Sequence, residues 1–167
     1  QSSGLFNSMS VGENVAMPMR EFGNVDEALI QQLVRFKLSL VGLSDAQHMM
    51  PGEPSGGMRK RAGLARAIAL DPALVYFDEP SAGLDPIMAA GLDEMILKLK
   101  RMLETTFVIV THELESIRKA ADRVLMLDQG RVVFCGPLEE AERSPVERLR
   151  QFFDRRPDEH ITQRNIV

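Results

Sequence analysis

The sequence predicts an α/β fold built on a parallel sheet with crossover helices, and two observations carry that prediction. Residues 73–77 and 106–110 are apolar runs of strand length. Between them, after Pro86, Met88, Leu92, Met95, Ile96, Leu99 and Leu103 recur at helical spacing. Strand, helix, strand in that order is the pattern of a parallel pair joined by a crossover helix. The unbroken apolar character of 73–77 further predicts a strand covered on both faces.

The remaining elements follow from local signals. Residues 1–18 mix Ser, Gly and Asn with isolated apolar residues and read as a loop followed by a short helix. Asn24 or Asp26 caps the next helix, with Leu29, Leu33, Phe36 and Leu40 as its apolar face and an end near Gly42. A polar stretch over 44–54 precedes a helix from about Ser55 to Leu70, which Pro72 closes. After the second strand come a short helix over 115–121 and a strand over 123–127. Asp128-Gln129-Gly130 then turns the chain into 131–135, a hairpin with Gly at a positive-φ position. Two closing helices are expected at 138–142 and 146–153, the second capped by Ser144 with Pro145 at its first position.

Composition narrows the function classes. With 20 basic against 24 acidic residues and a net charge of -4, the chain has no overall electrostatic reason to bind nucleic acid or an anionic membrane. No apolar run approaches the roughly 20 residues that span a bilayer, and the first residues carry no signal-peptide pattern, so the expectation is a cytoplasmic protein. The single cysteine, Cys135, cannot form an internal disulfide and reads as a buried structural thiol in a strand. His48 and His160 match no motif and read as ordinary loop and tail residues.

Two motifs carry chemistry. Residues 74–77 are an apolar strand ending in the adjacent carboxylates Asp78 and Glu79, at the carboxyl end where parallel sheets collect ligands and catalytic groups. Adjacent acids there divide two tasks: Asp78 holding Mg²⁺, Glu79 polarising a water that attacks a phosphate. Ser55-Gly56-Gly57-Met58 opens a helix, where a serine cap and two glycines leave N–H groups uncovered for an anion. Taken singly, an Asp-Glu pair is as often a solvated loop start, and Ser-Gly-Gly is most often a plain turn.

Together these segments resemble the nucleotide-binding domains of ABC transporters. Ser55-Gly56-Gly57-Met58 is similar to the signature motif, residues 74–79 to the Walker B strand with its catalytic glutamate, and Ser81-Ala82-Gly83-Leu84-Asp85 to the D-loop. His112 resembles the switch histidine and Gln1 the Q-loop glutamine, and the motifs stand in family order from residue 1 to about 153. Pro54 and Met58 depart from the Leu and Gln of many members. The run Met58-Arg59-Lys60-Arg61, with residues 65–72, is similar to the Mla-type or toluene-tolerance ATPases that serve phospholipid transport in Gram-negative envelopes.

The resemblance implies a partial P-loop NTPase fold. Residues 11–70 would form a helical signature subdomain, 71–153 the core and 154–167 a polar tail. It implies ATP and Mg²⁺ as cofactors, with Glu79 and His112 catalytic, Asp78 and Gln1 at the metal, and Gln1, Ser55, Gly56, Gly57, Met58 and Asp85 at the nucleotide. The signature residues would reach the ATP of a second ATPase subunit in a head-to-tail dimer. Transmembrane permease subunits and a substrate-binding lipid-transfer component would complete the assembly, on the cytoplasmic side of the inner membrane, without nucleic acid. An amino acid, metal or drug cargo, or a non-catalytic interaction fragment, are the alternatives.

One family motif is absent. No Gly-x-x-x-x-Gly-Lys-[Ser/Thr] occurs in these residues, so the loop that cradles the β- and γ-phosphates is missing, and the chain is expected to be a fragment inactive alone. The family places the P-loop strand between the strands here at 106–110 and 123–127. Without it, unpaired edges are expected to close by direct pairing, by insertion from another copy or by edge association, of which intermolecular pairing is the expected route.

Overall fold

The computed structural model describes residues 4–157, which divide after His112 into two compact units. In the first, α1 (Val11–Phe22), α2 (Glu27–Leu40), a 3-10 turn at Ser44–Ala46 and α3 (Gly56–Ala67) precede β1 (Leu74–Asp78), α4 (Pro86–Leu103) and β2 (Thr106–Val110). Gln1 lies outside the described residues.

Helix α1 is longer than the short helix expected and runs through Pro18. Its start is fixed by a capping box: Glu13 N donates to Ser10 Oγ at 3.2 Å, and Ser10 N donates to the Glu13 carboxylate at 2.7 Å. Pro18 lacks the N–H that would have bonded the carbonyl one turn back and its ring crowds that carbonyl, so the helix carries that cost. Helix α2 begins at the Asp26 cap, which accepts from Leu29 N at 3.0 Å.

The buried face of α2 differs from the one expected. Ile30, Val34, Lys37 and Leu38 are buried, whereas Leu29 and Phe36 are exposed. Lys37 hides the stripe in the sequence, because its stem lies along the apolar face while the ammonium bonds the Asp71 carboxylate. Against that stripe pack Val11, Val15 and Met19 of α1 and Ala62 and Ala65 of α3, forming one core with Ile96 and Leu99 of α4.

Strands β1 and β2 are parallel, with Leu74 opposite Thr106 and Asp78 opposite Val110. The Phe77 and Phe107 rings stack at 5.8 Å on the inner face, beside Val75 and Ile109. The two-sided cover expected for β1 is not found: Leu74 and Tyr76 on the other face are 42% and 71% exposed, and Val108 and Val110 of β2 are exposed with them. The apolar run therefore reports the chemistry of both faces but the burial of one.

The second unit holds α5 (Leu114–Ala120), β3 (Arg123–Asp128), β4 (Arg131–Pro137), α6 (Leu138–Glu142) and α7 (Glu147–Phe153). β3 and β4 pair antiparallel around Gln129 (φ 47) and Gly130 (φ 75), both left-handed as a two-residue hairpin loop requires. Cys135 is exposed, not buried: it pairs with the exposed Leu125 on the outer face, while Phe134 and Met126 pack against Ala141, Leu149 and Phe153. Ser144 does not cap α7. Its Oγ accepts from Val146 N at 3.2 Å, a local turn that makes Val146 the N-cap and leaves Pro145 before the helix.

Candidate functional site

The parallel register of β1 and β2 puts Asp78 beside Val110, so the residues after each strand emerge next to one another. Glu79 turns out of β1 with φ 48, left-handed backbone that a non-glycine residue adopts only when its surroundings hold it there. The surroundings do so. Glu79 N donates to Val110 O at 2.8 Å, and Glu79 O accepts from Ala82 N at 3.2 Å and from Lys60 Nζ at 3.3 Å.

The same turn aims the Glu79 carboxylate at the residues that follow β2. His112 Nδ1 is 2.7 Å from Oε1, and Thr111 Oγ1 donates to Oε2 at 3.4 Å. With Glu79 ionised its oxygens only accept, which places the hydrogen on Nδ1 of His112. The Glu79 side chain is 17% exposed and that of His112 76%, so a half-sheltered carboxylate meets an imidazole open to solvent. Asp78, one residue earlier, is exposed at the strand end. An open cleft of about 250 Å³ runs beside the two acids, lined by Lys60 and Leu64 of α3, Tyr76 and Phe77 of β1, and Leu92 and Ile96 of α4.

Ser55 is the N-cap of α3: its Oγ accepts from Met58 N at 3.3 Å, and its carbonyl takes Arg59 N at 2.9 Å. The N–H groups of Gly56 and Gly57 precede the first intrahelical donor, as at every helix start. Gly57 is buried against α4, where a Cβ would come within 2.5 Å of Met88 Cε, the far end of a flexible side chain that could turn aside. Met58 turns its side chain against the helical core and offers only its main chain at the cap. Asp85 caps α4, accepting from Ile87 N and Met88 N at 3.0 Å each.

The structure thus gathers Glu79 and His112, sets Asp78 beside them, and brings the Gly57 turn of α3 to the start of α4 just after Asp85. Sequence reasoning missed Thr111 and Lys60. Thr111 carried a signal, since it is the hydroxyl between β2 and His112. Lys60 carried none, because its contact with Glu79 depends on how α3 packs.

Residues 1–82 match the family model described as ABC transporter. The chain is 42% identical over 156 residues to the "Probable ribonucleotide transport ATP-binding protein mkl" of Mycobacterium tuberculosis strain H37Rv, covering 93% of this chain and 44% of that protein. It is 42% identical over 154 residues to the "Intermembrane phospholipid transport system ATP-binding protein MlaF" of Escherichia coli K12, covering 92% and 57%. With the protein of that name from Haemophilus influenzae the identity is 43% over 152 residues, covering 91% and 58%. The chain therefore spans about half the length of the curated relatives it matches. Its strand-end carboxylates, its serine-capped glycine turn and these likenesses point the same way: residues 1–82 match the ABC transporter family, and more than nine-tenths of the chain is similar to ATP-binding transport proteins.

Proposed function

We propose that this chain is the signature-to-switch portion of an ATP-hydrolysing ABC subunit that energises phospholipid movement in a Gram-negative envelope. The observation that carries the reading is the 2.7 Å contact of His112 with Glu79 at the carboxyl end of β1. The phospholipid cargo rests on the MlaF relatives and on the Met58-Arg59-Lys60-Arg61 pattern. Permease subunits and a lipid-transfer component are the partners that reading entails, and attachment to the inner membrane runs through the permease. Among the described residues, no helix is long and apolar enough to cross a membrane.

Glu79 acts on the attacking water. Its two oxygens are each held by one donor, and each keeps a further lone pair for the water proton. His112 and Thr111 fix the plane of that carboxylate, so the water is aligned without reorganisation at the moment of transfer. Ser55, Gly56 and Gly57 supply the helix-start donors for the γ-phosphate of ATP on a second subunit, and Asp85 steadies the adjoining turn.

Asp78 fits a Mg²⁺ ligand. It is an exposed carboxylate at a strand end, and no cluster of three or more His, Cys, Asp or Glu side chains suited to a metal occurs among the described residues. Mg²⁺ takes one or two carboxylates and completes its shell with water and phosphate oxygens, so a single exposed carboxylate is a suitable donor. When bound, the ion would neutralise charge developing on the phosphate. Gln1 is proposed as a further ligand or water contact.

The test uses two samples. Calorimetric titration of the chain alone with Mg-ATP is expected to show no tight binding, since the P-loop cradle is not in this sequence. In the complete subunit, carrying a P-loop together with this chain, Glu79→Gln is expected to keep ATP binding, stop turnover and trap an ATP-dependent dimer. Ser55→Arg is expected to prevent dimer formation. Normal turnover by Glu79→Gln would sink the proposal.

A further inference from the structure

Helix α3 carries two features that the proposed mechanism uses only in part. Its N-terminus is the Ser55 turn. One and a half turns later, Lys60 reaches from the same helix to the main chain of Glu79, with Nζ 3.3 Å from the carbonyl oxygen. The carbonyl it touches belongs to a residue in the left-handed region. We propose that Lys60 is a positioning residue for Glu79, and that through it the signature helix of a subunit sets the aim of that subunit's own catalytic carboxylate. The proposal rests on the function assigned above and adds a link within one chain.

A non-glycine residue at φ 48 is strained, so the turn persists only while its anchors hold it. Those anchors are the Glu79 N–H on Val110, the Glu79 carbonyl on Ala82 N, and Lys60 on that same carbonyl. The first comes from β2, the parallel neighbour, and the second lies within the strand-end turn. Lys60 is the anchor supplied by a side chain and by a helix, and its charge strengthens a contact that is long at 3.3 Å.

Rotation of the Glu79 peptide would swing the carboxylate away from His112 and Thr111, because the direction of the side chain follows the backbone torsions. A carboxylate displaced by a fraction of an ångström loses alignment with the water it must polarise. A small shift of α3, as when a phosphate seats at Ser55, would be carried rigidly along the helix to Lys60. Binding at the Ser55 end and readiness at Glu79 would then be coupled by one helix.

The experiment is made on the complete subunit, with Lys60→Met, Lys60→Arg and Glu79→Gln compared with the parent. Lys60→Met is expected to lower kcat about tenfold with KM for ATP unchanged, because the lost contact orients a catalytic group and binds no nucleotide. Lys60→Arg, which keeps a cationic donor of similar reach, is expected to recover most of that loss. Combined with Glu79→Gln, Lys60→Met is expected to leave the ATP-trapped dimer intact, which shows both that the protein folds and that the Ser55 turn still works. Parental kcat in Lys60→Met, a raised KM with kcat intact, an Arg variant as slow as Met, or loss of the trapped dimer would each overturn the proposal. Normal turnover by Glu79→Gln alone would instead remove the functional reading on which it stands.

Discussion

His112 and Glu79 are joined by a 2.7 Å contact between Nδ1 and Oε1, although 33 residues separate them in the chain. The contact exists because β1 and β2 are parallel neighbours ending in register, so each strand delivers one partner to the same edge. In the complete subunit, His112→Ala is expected to lower kcat roughly 10–100-fold while leaving ATP affinity within a few fold, since the imidazole orients the base rather than holding the nucleotide. Steady-state turnover beside equilibrium ATP binding checks this. A parallel loss of affinity would show that His112 binds nucleotide directly.

Lys37 and Asp71 call for a different prediction. The Lys37 side chain is 1% exposed and bonds the carboxylate of Asp71, which is itself 67% exposed and has φ 48. Asp71→Asn keeps a residue tolerant of left-handed backbone but leaves the buried ammonium without its counter-charge. The expected loss is about 1–3 kcal/mol, below the figure for a fully buried pair because water reaches Asp71. Lys37→Met removes the charge and keeps the stem, and is expected to stay within about 1 kcal/mol of the parent. Urea denaturation of both variants decides it, and equal losses would contradict the account.

How much of this was legible in the sequence varied with the range of the forces involved. The β1–α4–β2 unit and the Ser55 and Asp26 caps are local, and they stand where periodicity and capping chemistry put them. The buried face of α2 was misread because a lysine stem substitutes for an apolar side chain at Lys37. The missed length of α1 had a readable signal in the Ser10–Glu13 capping box, which outweighed Pro18. Cys135 was assigned to the core by its residue type, yet strand alternation put it outside with Leu125. The acids of the site were visible as a pair, but their partners Lys60 and Thr111 lie 19 and 32 residues away and meet Glu79 only through tertiary packing.

Arg20 and Glu27 predict a pH dependence. The Arg20 guanidinium bonds the Glu27 carboxyl through two nitrogens, at 3.0 and 2.5 Å, and Gln31 adds a third donor, which together push the Glu27 pKa down to about 2 from an ordinary value of 4.5. A depressed carboxyl stabilises the fold above its unfolded pKa and loses that contribution as pH falls through the folded value. The pair therefore contributes fully above about pH 4.5 and fades toward pH 2. Glu27→Gln is expected to lower Tm at pH 6 by a small amount, the pair being solvent-exposed, and to match the parent near pH 2. A Tm gap that widens with acid would give the opposite sign and reject the assignment.

Asn14 makes the sharpest stability prediction because every polar atom of its side chain is committed. It is fully buried, and the two hydrogens of its Nδ2 are shared among the carbonyls of Phe6, Met9 and Ser10 at 3.0–3.1 Å. Its Oδ1 accepts from Phe6 N at 2.7 Å and from Arg66 Nη1 at 3.4 Å, and the Arg66 guanidinium lies over the Phe6 ring. One amide thus ties the segment before α1 to α1 and to α3. Asn14→Asp preserves the shape and the Oδ1 contacts but replaces a donor with an acceptor facing three carbonyls. Each buried group left unmade costs about 1–3 kcal/mol, and burial penalises a carboxylate further, while the Arg66 guanidinium at Oδ1 offsets part of that penalty, so the loss should be a few kcal/mol. Asn14→Leu removes the conflict along with the bonds, leaving orphaned backbone groups without a misplaced charge, and is expected to be the milder of the two at pH 7. Lowering the pH toward 4 protonates the aspartate and restores a donor, so the Asn14→Asp variant is expected to gain stability relative to the parent as pH falls. Urea midpoints measured at pH 7 and pH 4 test the ordering. An Asn14→Asp variant as stable as the parent at pH 7 would mean that the amide does not hold this segment.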